Sequence, residues 1–129
     1  IFSEVDLSMK KDNWHPLKSC LTIAKSKIEG LGVFATESIP ENTDLGMSHV
    51  FNIAFPDNYI RTPLGGFINH HEIPNCSAEF RDTDPTIGKI KHIRIITQKR
   101  LAAGEELTVK YVINKLEDPN WEFEYEATQ

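Results

Sequence analysis

A single, mostly-β domain is the fold class this chain predicts, and three observations carry it. Short segments alternate apolar and polar residues, clusters of turn-forming residues separate them, and no segment keeps a helical period over three turns. At 129 residues and 40% hydrophobic content the chain can bury one modest core, which leaves no room for a second catalytic domain.

In chain order, residues 20–24 (CLTIA), 47–55 (MSHVFNIAF) and 89–97 (KIKHIRIIT) alternate as half-buried strands do. Residues 106–111 (ELTVKY) are short and rich in β-favouring types, and period-two geometry puts Leu107, Val109 and Tyr111 on one face. Turns are expected at Glu29-Gly30-Leu31-Gly32, at 40–44 (PENTD), at 82–85 (DTDP) and at Ala103-Gly104. A short helix is expected over 114–120. The domain is read as 20–113, with flanks at 1–19 and 114–129. In the second flank Trp121, Phe123 and Tyr125 stand two apart, as on an edge strand packing one face on the core or on the wall of a ligand site.

Nineteen acidic against fourteen basic residues give a formal charge of −5, which disfavours a nucleic-acid-coating role and suits a basic peptide partner or simple solubility. No stretch approaches the ~20 apolar residues of a membrane span, and the first residues lack the build of a secretion signal, so a soluble intracellular protein is expected. Cys20 and Cys76 are far apart without CxxC spacing, so neither a disulfide framework nor a thiolate zinc cluster is suggested, and both are read as buried thiols.

Three segments can carry chemistry. In KSKIEGLGVFAT (25–36), Gly30 and Gly32 let the backbone turn tightly or approach a ligand, although a GxG alone is an ordinary turn. In GGFINHHEIPN (65–75), His70 and His71 face opposite ways on an extended chain and cannot readily share a metal, whereas Asn69 between apolar and glycine neighbours reads as a buried amide in need of partners. GEELTVKY (104–111) ends on Tyr111, which as a bare pattern is either core or catalyst.

Taken in order, GLGVFAT, FINHxxxPN and GEELTxxY make the stretch from Cys20 to Tyr111 resemble the SET-domain family of protein-lysine methyltransferases. The resemblance implies a fold of several short sheets in which the middle and last motifs thread past each other in a pseudoknot. It also implies S-adenosylmethionine as cofactor and methyl transfer to the side-chain amine of a lysine in a protein, a histone being one candidate. Cofactor binding then falls to Glu29, Gly30, Leu31 and Gly32, to Asn69 through its amide and to His70 largely through its backbone. The catalytic residue is Tyr111. Val109, two residues earlier, shapes the substrate channel, and its small side chain favours more than one methylation. Tyr59 is placed in the same channel.

Departures from the family pattern matter as well. Lys110 and Val112 replace the common Asp and Gly around the tyrosine, and Lys110 is expected to face solvent. His71-Glu72 replaces Ser-Cys. No cysteine-rich zinc segment follows Tyr111, which leaves Trp121 to cover the cofactor and Phe123 to complete the channel, or a second copy of the chain to close the site as a homodimer. The partner implied is a lysine-containing, basic protein or peptide, with no nucleic acid, membrane or metal. The alternative is a degenerate SET module that binds peptide or cofactor without turnover; retention of Asn69 and Tyr111 argues against it.

Overall fold

The structure, a computed structural model, describes residues 16–110. Two strands, β1 (Leu21–Lys25) and β2 (Leu31–Ala35), form an antiparallel hairpin with Leu21 opposite Ala35 and Lys25 opposite Leu31. The turn expected at 29–32 therefore lies one step earlier. Gly30 makes it, at φ 47°, with the Ser26 amide donating to the Gly30 carbonyl at 2.8 Å, while Leu31 and Gly32 already belong to β2.

The remaining strands are β3 (Asp44–Phe51), β4 (Tyr59–Arg61), β5 (Asn69–His70), β6 (Cys76–Asp84), β7 (Gly88–Thr97) and β8 (Thr108–Val109). They build one sheet in the order β4-β3-β7-β6-β8-β5. β6 and β7 form a long antiparallel hairpin, and β3 joins β7 through a register that shifts twice between Asp44 and His49, as bulges allow. Arg94 on β7 donates to Asp44 on β3 and to Asp84 on β6, so one guanidinium ties three strands.

A single helical turn, α1 (Pro63–Phe67), joins β4 to β5. Proline at its start has no amide to leave unpaired. The Thr62 hydroxyl donates to the Met47 carbonyl at 2.7 Å and accepts from the Gly65 amide at 3.4 Å. The backbone becomes extended again at Ile68, immediately before β5.

β8 pairs in parallel with two strands at once, with β5 through Asn69–Thr108 and His70–Val109, and with β6 through Cys76–Val109. The last motif thus lies between two strands that residues 71–75 connect, which is the threaded arrangement expected of a pseudoknot. Asn75 secures it with its side chain. The Thr108 amide donates to Asn75 Oδ1 at 2.8 Å, and Asn75 Nδ2 donates to the Glu106 carbonyl at 2.8 Å, so the amide acts as one more backbone unit beside 106–108. On its other side the same segment runs along β2, with Ala35 N donating to Glu105 O and Leu107 N to Val33 O.

The main core gathers residues from every part of the described chain, among them Leu21, Val33, Ile39, Leu64, Ile95 and Leu107. Cys76 belongs to it, and burial pushes its thiol up to about 12, an inert group. Cys20, expected to be buried, is only half-buried at the core's edge. The helix expected at 114–120 and the aromatics Trp121, Phe123 and Tyr125 lie outside the described residues.

A second, smaller cluster holds Tyr59 and Ile93, with Phe51 and Phe80 against it. His49 sits beside it at 0% exposure, edge-on to the Tyr59 ring, its Nδ1 2.9 Å from Ser48 Oγ and its Nε2 without a hydrogen-bond partner among the described residues. Burial, helped by the Arg61 charge, lowers its pKa from 6.5 to about 4. A histidine kept neutral in the folded state contributes its full stability above pH 6.5 and loses it as the pH falls toward 4, because only the unfolded chain takes up the proton in that window. The expected loss is about 3 kcal/mol. Urea unfolding from pH 7 to pH 4 should show it, and His49→Leu should remove that part of the slope; an unchanged slope in the variant would refute the assignment.

Candidate functional site

The three motif segments meet on the strip formed by β2, residues 105–109 and β5. Asn69, the first residue of β5, is 7% exposed, and its side-chain nitrogen lies among four oxygens. Two are the backbone carbonyls of Glu29 and Leu31, each at 3.2 Å. The others are Ser26 Oγ at 3.1 Å and Glu106 Oε2 at 2.8 Å. The structure therefore brings the backbone of Glu29 and Leu31 to Asn69, and adds two residues that the sequence reading did not name, Ser26 and Glu106.

Each arrives for a local reason. Ser26 Oγ accepts from the Ile28 amide at 2.9 Å, a serine turn that shapes the loop before Gly30. Pairing of 105–107 with β2 fixes the face on which Glu106 lies. Leu107 and Val109 go into the core, at 0% and 2% exposure, and Glu106 takes the opposite side, as alternation requires. Gly32 makes room for it. A Cβ at Gly32 would overlap Glu106 Oε2 and stand 3.2 Å from Asn69 Nδ2, so this glycine serves close approach rather than a turn.

The chemistry of these groups is one-sided. An amide nitrogen carries two hydrogens, yet four acceptors surround it, one of them a carboxylate. Two acceptors are therefore always left over, and the surplus suits a ligand that brings positive charge and N–H groups.

His70 follows on β5, its backbone paired to Val109 and its ring 2.6 Å from Glu72 Oε2. His71 Nδ1 accepts from the Ile73 amide at 3.0 Å. Among the described residues no group of three or more His, Cys, Asp or Glu side chains is placed to hold a metal. Lys110 is exposed.

Of the three residues proposed for a substrate channel, the two that are described, Val109 and Tyr59, are not brought together. Val109 lines a cavity with Pro74, Cys76, Ala78 and Gln98. Tyr59 lines another with Phe55, Pro56 and Arg61, on the edge strand at the far end of the sheet order from β5. Tyr59 is also 4% exposed and packed edge-on against His49 and Phe51, the role of a core aromatic. Tyr111, Trp121 and Phe123 lie outside the described residues. So does any contact they make to this site.

No described helix is long and apolar enough to cross a membrane, a finding silent on β-barrels. A comparison with curated protein sequences finds no match. Among solved structures, one that this fold is similar to is the crystal structure of a Plasmodium falciparum protein titled a "putative histone methyltransferase". It shares 22% sequence identity over 71% of this chain and 96% of that one, with a TM-score of 0.57. At that identity the likeness speaks for the fold. The family model of the SET domain matches residues 47–112, just over half of the chain, and takes in the middle and last motifs. With both motifs threaded as described, the chain belongs to the SET-domain family.

Proposed function

We propose that this domain transfers methyl groups from S-adenosylmethionine to the side-chain amine of lysine in a basic protein substrate, a histone tail being one form it could take. The observation that carries the reading is the meeting of the Glu29–Gly32 backbone with the Asn69 amide, where acceptors outnumber hydrogens two to one. The cofactor, when bound, supplies an activated methyl group on a cationic sulfur.

The chain's own task is to bind, orient and desolvate. A lysine must lose its proton before it can attack, and with a reference pKa near 10.4 this costs about 3 kcal/mol at about pH 8. An apolar channel lowers that cost by disfavouring the ammonium, and a neighbouring positive charge acts in the same direction. Val109, buried in β8 two residues before Tyr111, supports the apolar wall. Tyr111 is assigned the positioning of the amine by its hydroxyl. Trp121 and Phe123 are assigned to closing the site over cofactor and substrate. With aromatic walls, methylated products gain cation–π attraction as well.

Two measurements test this. Incubation with methyl-labelled S-adenosylmethionine and a mixture of basic proteins should label lysine; cofactor binding without labelled lysine would leave only the degenerate-module reading. Asn69→Ala should weaken cofactor binding by about 10- to 100-fold, the worth of hydrogen bonds to a charged group. Equal affinity in the variant would move the cofactor elsewhere.

A further inference from the structure

We infer that Glu106 is a positioning residue that fixes which end of the Asn69 amide faces the ligand, so that the site selects for a ligand presenting an N–H donor. The inference rests on the cofactor reading above only for the identity of that ligand. The two ends of an asparagine amide are nearly equal in size and opposite in chemistry, so something must decide between them. Here the decision can be followed proton by proton. An ionised carboxylate only accepts. Ser26 Oγ lies 2.8 and 2.9 Å from the two Glu106 oxygens, so its single hydrogen is committed to Glu106. Its lone pairs are then turned to the Ile28 amide at 2.9 Å and to the Asn69 side chain at 3.1 Å. Glu106 Oε2 and Ser26 Oγ thus both require a donor from Asn69, and the Glu29 and Leu31 carbonyls require the same.

Only the nitrogen end can donate to any of the four, two at a time. The oxygen end is consequently turned away from them, and Oδ1 makes no hydrogen bond to a described residue. Asn69 thus offers the ligand an acceptor. A Gln at 106 breaks this logic, because its own N–H can donate to Ser26 Oγ and free the serine hydrogen to meet an Asn69 oxygen. Only the Glu29 and Leu31 carbonyls, each at 3.2 Å, would then hold the nitrogen end inward, and the preference for one orientation weakens. Loss of Ser26, by contrast, leaves the direct Glu106–Asn69 bond and hence the orientation.

The test compares wild type, Glu106→Gln and Ser26→Ala, each first checked by thermal unfolding. Calorimetry is run with S-adenosylmethionine and with its analogue in which hydrogen replaces the α-amino group. Wild type and Ser26→Ala should prefer the cofactor over the analogue by about tenfold or more, the worth of a charge-assisted hydrogen bond, and Glu106→Gln should lose most of that preference. Hydrogen exchange of the Asn69 side-chain amide, read by NMR in the ligand-free protein, should be at least about tenfold faster in Glu106→Gln than in wild type. Equal amide exchange in the two proteins overturns the inference whatever the ligand. So does an equal loss of preference in both variants, which would mark general damage to the loop. Failure of wild type to bind the cofactor, with the exchange difference intact, would refute the ligand assignment and leave the positioning role standing.

Discussion

Tyr111→Phe is expected to lower methyl transfer by about 100-fold or more while leaving affinity for S-adenosylmethionine within about twofold, since displacement of a reacting group by ~1 Å suffices for a loss of that size. The hydroxyl at this position is assigned to geometry rather than to proton removal. On the proposed reading the lysine proton is lost to solvent before attack, at a cost set by the amine's own pKa and by desolvation. The variant should therefore keep the wild-type rise of rate with pH, displaced downward as a whole. Single-turnover transfer of a labelled methyl group between pH 7 and pH 10, beside calorimetric cofactor titrations, separates the possibilities. A flattened pH profile would make Tyr111 a base. A parallel loss of cofactor affinity would make it part of the cofactor site. An unchanged rate would remove it from the chemistry. Leu107 and Val109, earlier in the same motif, are both buried in the core.

The strands that could be read from the sequence are those with one face in the core and one face out. β1, β3 and β7 alternate because each is half-buried, and their expected spans differ from the observed ones by a few residues at the ends. β6 could not be read that way. Its residues CSAEFRDTD are mostly exposed beyond Ala78, and it is a strand because β7 supplies nearly its whole length with partners, which composition does not record. The turn expected at 82–85 accordingly gives way to a strand reaching Asp84. β2 was hidden by Gly32, which looks like punctuation and is in fact a clearance for Glu106. α1 has five residues, two of them glycine, and depends on its cap and on Leu64 in the core rather than on helix propensity.

The same distinction runs through the site. Asn69 was legible because a polar residue among apolar and glycine neighbours must find partners when buried. Glu106 was not. In GEELT it resembles any charged residue after a turn, and only the pairing of 105–107 with β2 shows that it faces inward. The structure alone supplies the clue: with Leu107 and Val109 on the core side, Glu106 and Thr108 share the other face, and Thr108 is buried at 7% exposure. A face with a buried polar residue at one position invites a search for its partners at the next. Tyr59 poses the opposite problem, since an aromatic before the middle motif looks the same in sequence whether it lines a channel or packs, as here, against His49 and Phe51.

Gly65→Ala should destabilise the fold by about 3 kcal/mol or more, whereas Gly66→Ala, one residue along, should be neutral or stabilise it by up to about 1 kcal/mol. The two glycines share one helical turn and neither has positive φ, so the backbone tolerates alanine at both. They differ only in what stands opposite. A Cβ at Gly65 would collide with the carbonyl oxygen of Ser48 and come within 2.8 Å of the buried His49 ring, while at Gly66 nothing lies within 4 Å. Ser48 O cannot withdraw, because it is main chain on β3 and accepts from the Thr62 amide at 3.0 Å. The helix would have to lift off the sheet, taking with it Leu64 and Ile68 from the core. Asn69 follows Ile68 directly, so the displacement reaches the amide that faces Glu29 and Leu31. Urea unfolding at neutral pH measures the difference, and cofactor titration of the folded fraction measures its transmission to the site. Equal stabilities for the two variants would mean that α1 is not held by this contact; a destabilised Gly65→Ala that still binds cofactor normally would mean that β8, rather than α1, sets the position of Asn69.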